Sequence, residues 1–220
     1  MTDAAAVLAE LAALEDPKAR AVNERHGDAH GVNLTKLRAV AKAAGSDAEL
    51  ARELWASDDV AGQLVALLML KPRVPDAEEL DGMLRTTRSA KAHDWFVNYI
   101  AKKSPLASEV RVRWFDDADA DVRAAAWSLT TDRVAKKPEG LDLDGLLDRI
   151  EAELVDAPER EQWAMNETLA NIGIHHPALR ERAVAIGDRL QVLADYPVAP
   201  GCTSPFAPAW IAEIVRRQGT

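Results

Sequence analysis

Several things are scarce or missing in this 220-residue chain, and each absence narrows the reading. There is one cysteine, Cys202, so no internal disulfide is possible and a reducing cytoplasm is the expected setting. Cys202 has no basic neighbour in "GCTSPF" to activate it as a nucleophile. No apolar run approaches the roughly 18 residues of a membrane span. The acidic, amphipathic start "MTDAAAVLAELAALED" does not read as a signal peptide. Walker, Gly-x-Gly-x-x-Gly and Gly-x-Ser-x-Gly motifs are all missing. His26 and His30 stand at i, i+4, but Gly27 and Gly31 interrupt them and no third ligand is evident. His175-His176, ahead of Pro177, reads as a helix end. No metal and no other cofactor is expected.

Positive charge is also short. The net charge of −9 argues against a protein that coats nucleic acid with its whole surface. The deficit is uneven: net −4 over residues 1–90, +1 over 91–140 and −6 over 141–220. From Arg85 to Lys103 the basic residues Arg85, Arg88, Lys91, Lys102 and Lys103 face one acid, Asp94. Such a stripe suits either phosphate contact or a solvated helix face.

What the chain has in abundance is helical periodicity. It predicts short helices near 3–14, 17–27, 34–44, 47–56, 59–70, 76–86, 89–102, 105–115, 119–136, 142–155, 158–173, 177–193 and 206–217. Ser46-Asp47-Ala48-Glu49 reads as a capping box, Asp76 with Glu79 opens the next pair, and Ser104-Pro105 and Ser204-Pro205 read as caps. "DYPVAPGCTSPFA" (195–207) is predicted to be an ordered excursion before the last helix.

The helices repeat in pairs. "ELWASDDVAGQLVALLML" (53–70) and "VRWFDDADADVRAAAWSLT" (112–130) share one plan: a helix ending in Trp, an Asp-Asp turn, then an Ala/Leu-rich helix. "AELVDAPEREQWAMNETLANIG" (152–173) is a looser copy. Asp119-Ala120-Asp121-Val122-Arg123-Ala124-Ala125-Ala126 carries the Asp-x-Asp-Val-Arg-x-Ala-Ala pattern common in HEAT repeats. One pair cannot bury its apolar face alone and stacks on the next, so an all-α curved array of antiparallel helix pairs is expected, as a single domain over 1–220. The second helices of successive pairs would line its concave side. Three of them carry unusual cargo: Trp95, Asn98, Tyr99 and Lys102 on the first, Arg123 and Trp127 on the second, Trp163 and Asn166 on the third. Rings beside charged and amide groups suit a polar cleft, and rings alone suit a gap between layers.

The sequence resembles the DNA alkylation repair family of AlkD-like, HEAT-like repeat proteins. The resemblance rests on "HGVNLTKLRAVAKAAG" (30–45), "AELARELWASDDVAGQLVALLML" (48–70), "AHDWFVNYIAKK" (92–103) and "DADVRAAAWSLT" (119–130), and covers roughly residues 15–190. It implies a cofactor-free DNA glycosylase for alkylated purines. Its basic concave face would hold duplex DNA, its aromatic rings would face a cationic lesion, and an aspartate would stabilise developing charge. Carried over by residue, Trp95 matches the family's Trp-x-x-x-Asp aromatic, and Tyr99 stands at the aspartate position. Asp94 is the one nearby acid, about 100° around an ideal helix from Trp95. Arg123 matches an inner-helix arginine, and Ile174 stands where the family has a later aromatic.

Three readings follow. The chain excises alkylpurines with Trp95, Tyr99 and Asp94 at the lesion. Or it binds DNA, alkylated or branched, without chemistry. Or it is a protein-interaction scaffold. The DNA readings place Lys91, Asn98, Lys102, Lys103, Arg123, Trp127, Trp163 and Asn166 on the nucleic acid. No membrane partner is expected, and a monomer is.

Overall fold

The computed structural model describes residues 3–219. Among them there is no strand. The chain divides into two compact units, Met1–Val110 and Arg111–Thr220.

In the first unit the helices are α1 (Ala4–Ala13), α2 (Pro17–Glu24), α3 (Leu34–Ala44), α4 (Ala48–Ala56), α5 (Val60–Met69), α6 (Ala77–Arg85) and α7 (Ala90–Trp95). Side chains cap all seven, those of Asp3, Asp16, Asn33, Asp47, Asp59, Asp76 and Ser89 in turn. Each supplies an acceptor for backbone N–H groups that have none inside the helix. The fourth cap is Asp47, not the Ser46 of the predicted capping box; its carboxylate accepts from Glu49 and Leu50 N–H.

The hub is α5. It packs on α1, α3, α4 and α7, and nine of its ten residues are buried. A helix apolar on every side belongs in a core. Full burial of Leu54 and Leu64 contributes roughly 1.5–3 kcal/mol each over exposure. Gln63 sits in this core with its amide satisfied: Nε2 donates to Thr86 O (2.8 Å), and Oε1 accepts from Arg88 N–H (2.9 Å). That amide sets the path of the chain from α6 into α7.

α8 (Ala107–Trp114) crosses from the first unit into the second. The second unit continues with α9 (Ala120–Lys136), α10 (Leu143–Glu153), α11 (Glu159–His175), α12 (Arg180–Leu190) and α13 (Ala207–Gln218). Its backbone is the α9–α11 pair. Ala124, Ala125 and Ala126 on one helix and Ala164 and Ala170 on the other are small enough for close approach, and all are buried. The Thr131 and Thr168 hydroxyls meet at 2.7 Å across the pair. α12 ends at Gln191, whose φ of 56° is left-handed, short of the predicted 193.

No helix runs from Gln191 to Phe206, yet Asn166 Nδ2 donates to Pro205 O (2.8 Å) and Tyr196 packs on Trp163. α13 then returns onto α11 and α12. Two glycines admit it: a Cβ on Gly173 would stand 2.4 Å from Ile211 Cδ1, and one on Gly187 would stand 2.6 Å from Pro208 Cδ.

Candidate nucleic-acid interface

The segment predicted as one helix over 89–102 is not uniform. α7 gives way to a π-helical turn over Phe96–Ile100 and a 3-10 turn over Ala101–Lys103. Ala101 N–H is shared between Phe96 O and Val97 O. A π turn holds an extra residue per turn and recurs at functional sites. Here Phe96, Val97, Ile100 and Ala101 are buried, while Asp94 and Asn98 are exposed and Trp95, Tyr99 and Lys102 are half-buried. The start is held by Ser89 Oγ, which accepts Ala92 N–H at 3.1 Å, and by Asp28, which accepts Lys91 N–H at 3.3 Å.

The solvent side carries two parallel ladders. In one, Lys102 Nζ donates to Asn98 Oδ1 (2.9 Å) and Asn98 Nδ2 donates to Asp94 O (2.8 Å). In the other, the Trp95 and Tyr99 rings meet at 5.2 Å, tilted by 47°, and Lys103 Nζ lies 5.4 Å from the Tyr99 ring centre. The Asp94 carboxylate lies 3.4 Å from Nδ1 of buried His93. The face therefore combines two rings, an amide and two ammonium groups. Chemically it can stack on bases and neutralise phosphates.

Lys91 has a different setting. Its Nζ pairs with Asp28 at 3.4 Å, and the Asp28 carboxylate is almost wholly buried. Beside it, Trp95 walls a pocket of about 330 Å³ together with Val22, His30, Leu34, Leu37 and Lys91. His30 is buried; desolvation, and then the Lys91 charge, push its pKa below the ordinary value. Among the described residues no three His, Cys, Asp or Glu side chains cluster as metal ligands would.

In the second unit the expected contacts separate. Trp127 is fully buried in the core, packed at 4.8 Å on Phe115, and cannot meet a ligand from there. Arg149 of α10 lies 5.8 Å from its ring centre. Asn166 is buried too, and its amide ties down the 191–206 segment as described. Arg123 is engaged internally: Nε and Nη2 hold buried Glu161 at 2.8 and 2.7 Å, and Nη1 donates to Asp117 O and Ala118 O. Trp127 and Asn166 thus have their side chains buried in the fold, and Arg123 has its guanidinium engaged by Glu161 and two carbonyls. Trp163 is exposed, edge-on to Tyr196 at 5.2 Å. Ile174 is buried and offers no ring.

Sequence reasoning missed Glu161, since a lone glutamate in a helix resembles any solvated acid. It also missed Arg111, whose setting depends on three-dimensional neighbours alone.

With this geometry in place, comparison with known proteins is informative. The family described as DNA alkylation repair enzyme matches residues 7–211. No match is found among curated proteins. Among solved structures, the chain is similar to one described as a new family of proteins related to the HEAT-like repeat DNA glycosylases with affinity for branched DNA structures. The two are 20% identical, with a TM-score of 0.77 over 99% of this chain and 95% of that one. The likeness is one of fold: an all-helical, HEAT-like repeat architecture.

Proposed function

The chain belongs to the DNA alkylation repair family, and from that premise we propose that it binds DNA through the solvent side of α7 and its π turn, with a preference for branched DNA and without excising bases. The observation that carries this reading is the tilted Trp95–Tyr99 ring pair flanked by Lys102 and Lys103. Rings with an edge or face open to solvent take unstacked base faces, which a fork supplies and an intact duplex does not. The ammonium groups take phosphates. Branched-DNA affinity in the structural relative supports the same choice of ligand.

Tyr99 supports a reading without excision. A hydrolysis through a sugar cation needs a fixed negative charge beside the rings. Tyr99 packs its ring there, and the Asp94 carboxylate sits beside His93.

The test compares a four-way junction, a splayed fork and a duplex by fluorescence anisotropy over a salt series, with release of 3- and 7-methylpurine followed by mass spectrometry. Tighter binding to the branched forms, weakening steeply with salt, and release at the spontaneous rate are expected. Salt-independent binding would return the chain to the protein-scaffold reading. Release above the spontaneous rate would restore the glycosylase.

A further inference from the structure

Arg111 is the odd arginine of the second unit. Arg123, Arg149, Arg160, Arg182, Arg189, Arg216 and Arg217 each meet a carboxylate. Arg180 donates to Gly173 O and Ile174 O, and Arg133 to Lys137 O and Glu139 O. Half-buried Arg111 meets no carboxylate among the described residues. Its Nη1 reaches Thr130 Oγ1 at 3.5 Å, a long contact to a hydroxyl that already donates to Ala126 O. Its Nε is buried with no acceptor at all.

The surroundings deepen the deficit. The guanidinium lies 5.9 Å from the Phe115 ring centre, and Arg149 lies 4.6 Å from the same ring. Phe115 packs on Trp127, whose Nε1 is the other buried donor without an acceptor. Arg133 is one turn beyond Thr130 on α9 (i, i+3), so a second cation stands on the same face. Burial, and then the Arg133 charge, hold the Arg111 guanidinium below its ordinary range. A buried donor normally has a partner, and an orphan calls for an explanation by an unseen ion, a water or a function. A buried cation without an anion is the costlier case.

We propose that Arg111, with Arg133, forms a binding site for a phosphate group. The guanidinium fork matches the oxygen spacing of phosphate and would offer it the Nη groups, while Nε stays buried beside them. Phosphate could come from the nucleic-acid backbone or from a free phosphate, and the chemistry is the same. This site is independent of the Trp95–Tyr99 face: it can stand if that reading fails.

The full-length protein, labelled with ¹⁵N, is titrated with inorganic phosphate against chloride at constant ionic strength. The Arg Nε–H resonances are followed, and Arg111 is assigned by its loss in Arg111→Met. The Arg111 signal should shift saturably with phosphate and not with chloride. Phosphate protection of the thermal midpoint should vanish in Arg111→Met. That variant strands no carboxylate, so its own midpoint should not fall. Should it fail to fold, Arg111→Lys, which keeps charge and loses the fork, should show weakened phosphate protection. If Arg111→Met also lowers the salt slope of DNA binding by about one, the phosphate is the backbone's. An unchanged slope with phosphate binding lost marks a free phosphate as the ligand. An Arg111 Nε–H that does not respond to phosphate overturns the site and leaves water as the acceptor.

Discussion

Arg123 and Glu161 clasp α9 to α11: two parallel bonds of 2.8 and 2.7 Å join them, and the carboxylate is almost wholly buried. Glu161 keeps Arg123 charged by raising its pKa further. Removing one partner of such a pair leaves the other charge buried and unpaired. Arg123→Ala should therefore cost about 3–5 kcal/mol in urea unfolding. DNA affinity and its salt slope should stay as in the parent at temperatures where the variant is folded. A slope lowered by about one would show that Arg123 contacts phosphate after all.

The Trp95–Tyr99 ladder separates stacking from charge. Trp95→Ala should weaken binding to a splayed fork by about 1–3 kcal/mol, the usual scale of ring–base stacking, with the salt slope unchanged. Lys102→Ala with Lys103→Ala should lower the slope by about two. Tyr99→Phe keeps the ring and should bind as the parent does. Anisotropy titrations over a salt series read all three. Loss of the slope in Trp95→Ala would mean that the ring only positions its neighbours.

These contrasts show what was legible in the residues. The helix count followed from local chemistry, and so did Asp76 as a cap, because an aspartate before a helix acts on backbone two or three residues away; α4 is capped by Asp47 instead of Ser46, and α13 has no side-chain cap. The equivalence of Trp55 and Trp114, each ending a helix before an Asp-Asp turn, followed too; both are buried. Which helical residues face solvent did not follow. Trp127 and Trp163 both sit on long helices of the second unit, yet one fills the core and the other meets Tyr196 on the surface. That outcome depends on Phe115 and Arg149 beside the first and on the 191–206 segment beside the second. The π turn after Trp95 was equally hidden, since no residue in Phe96–Ile100 breaks an α-helix by propensity.

His30 predicts a pH dependence. Its folded pKa is depressed below 6.5, chiefly by burial. The unfolded chain then binds the proton more readily, so stability falls as pH drops through the unfolded value of about 6.5. Above that value both states are neutral and the effect is nil. His175, also depressed by burial, acts in the same direction. Urea midpoints should be flat from pH 8 to 7 and decline below about 6.5. In His30→Gln the decline should be shallower. An equal decline would place it elsewhere.

Two glycines should respond oppositely to one methyl group. Gly82 lies inside α6, and a Cβ there would meet nothing within 4 Å. Helical glycine costs about 1 kcal/mol relative to alanine, so Gly82→Ala should stabilise by roughly 0.5–1 kcal/mol. Gly173 lies inside α11, where a Cβ would stand 2.4 and 2.9 Å from Ile211 and 3.3 Å from Ala183. Ile211 is buried, so its side chain must repack or α13 must shift. Gly173→Ala should destabilise by about 1–3 kcal/mol despite its better helix propensity. The loss should appear as faster amide exchange in α13. Equal stabilisation by both substitutions would mean that α13 does not pack against Gly173 in solution.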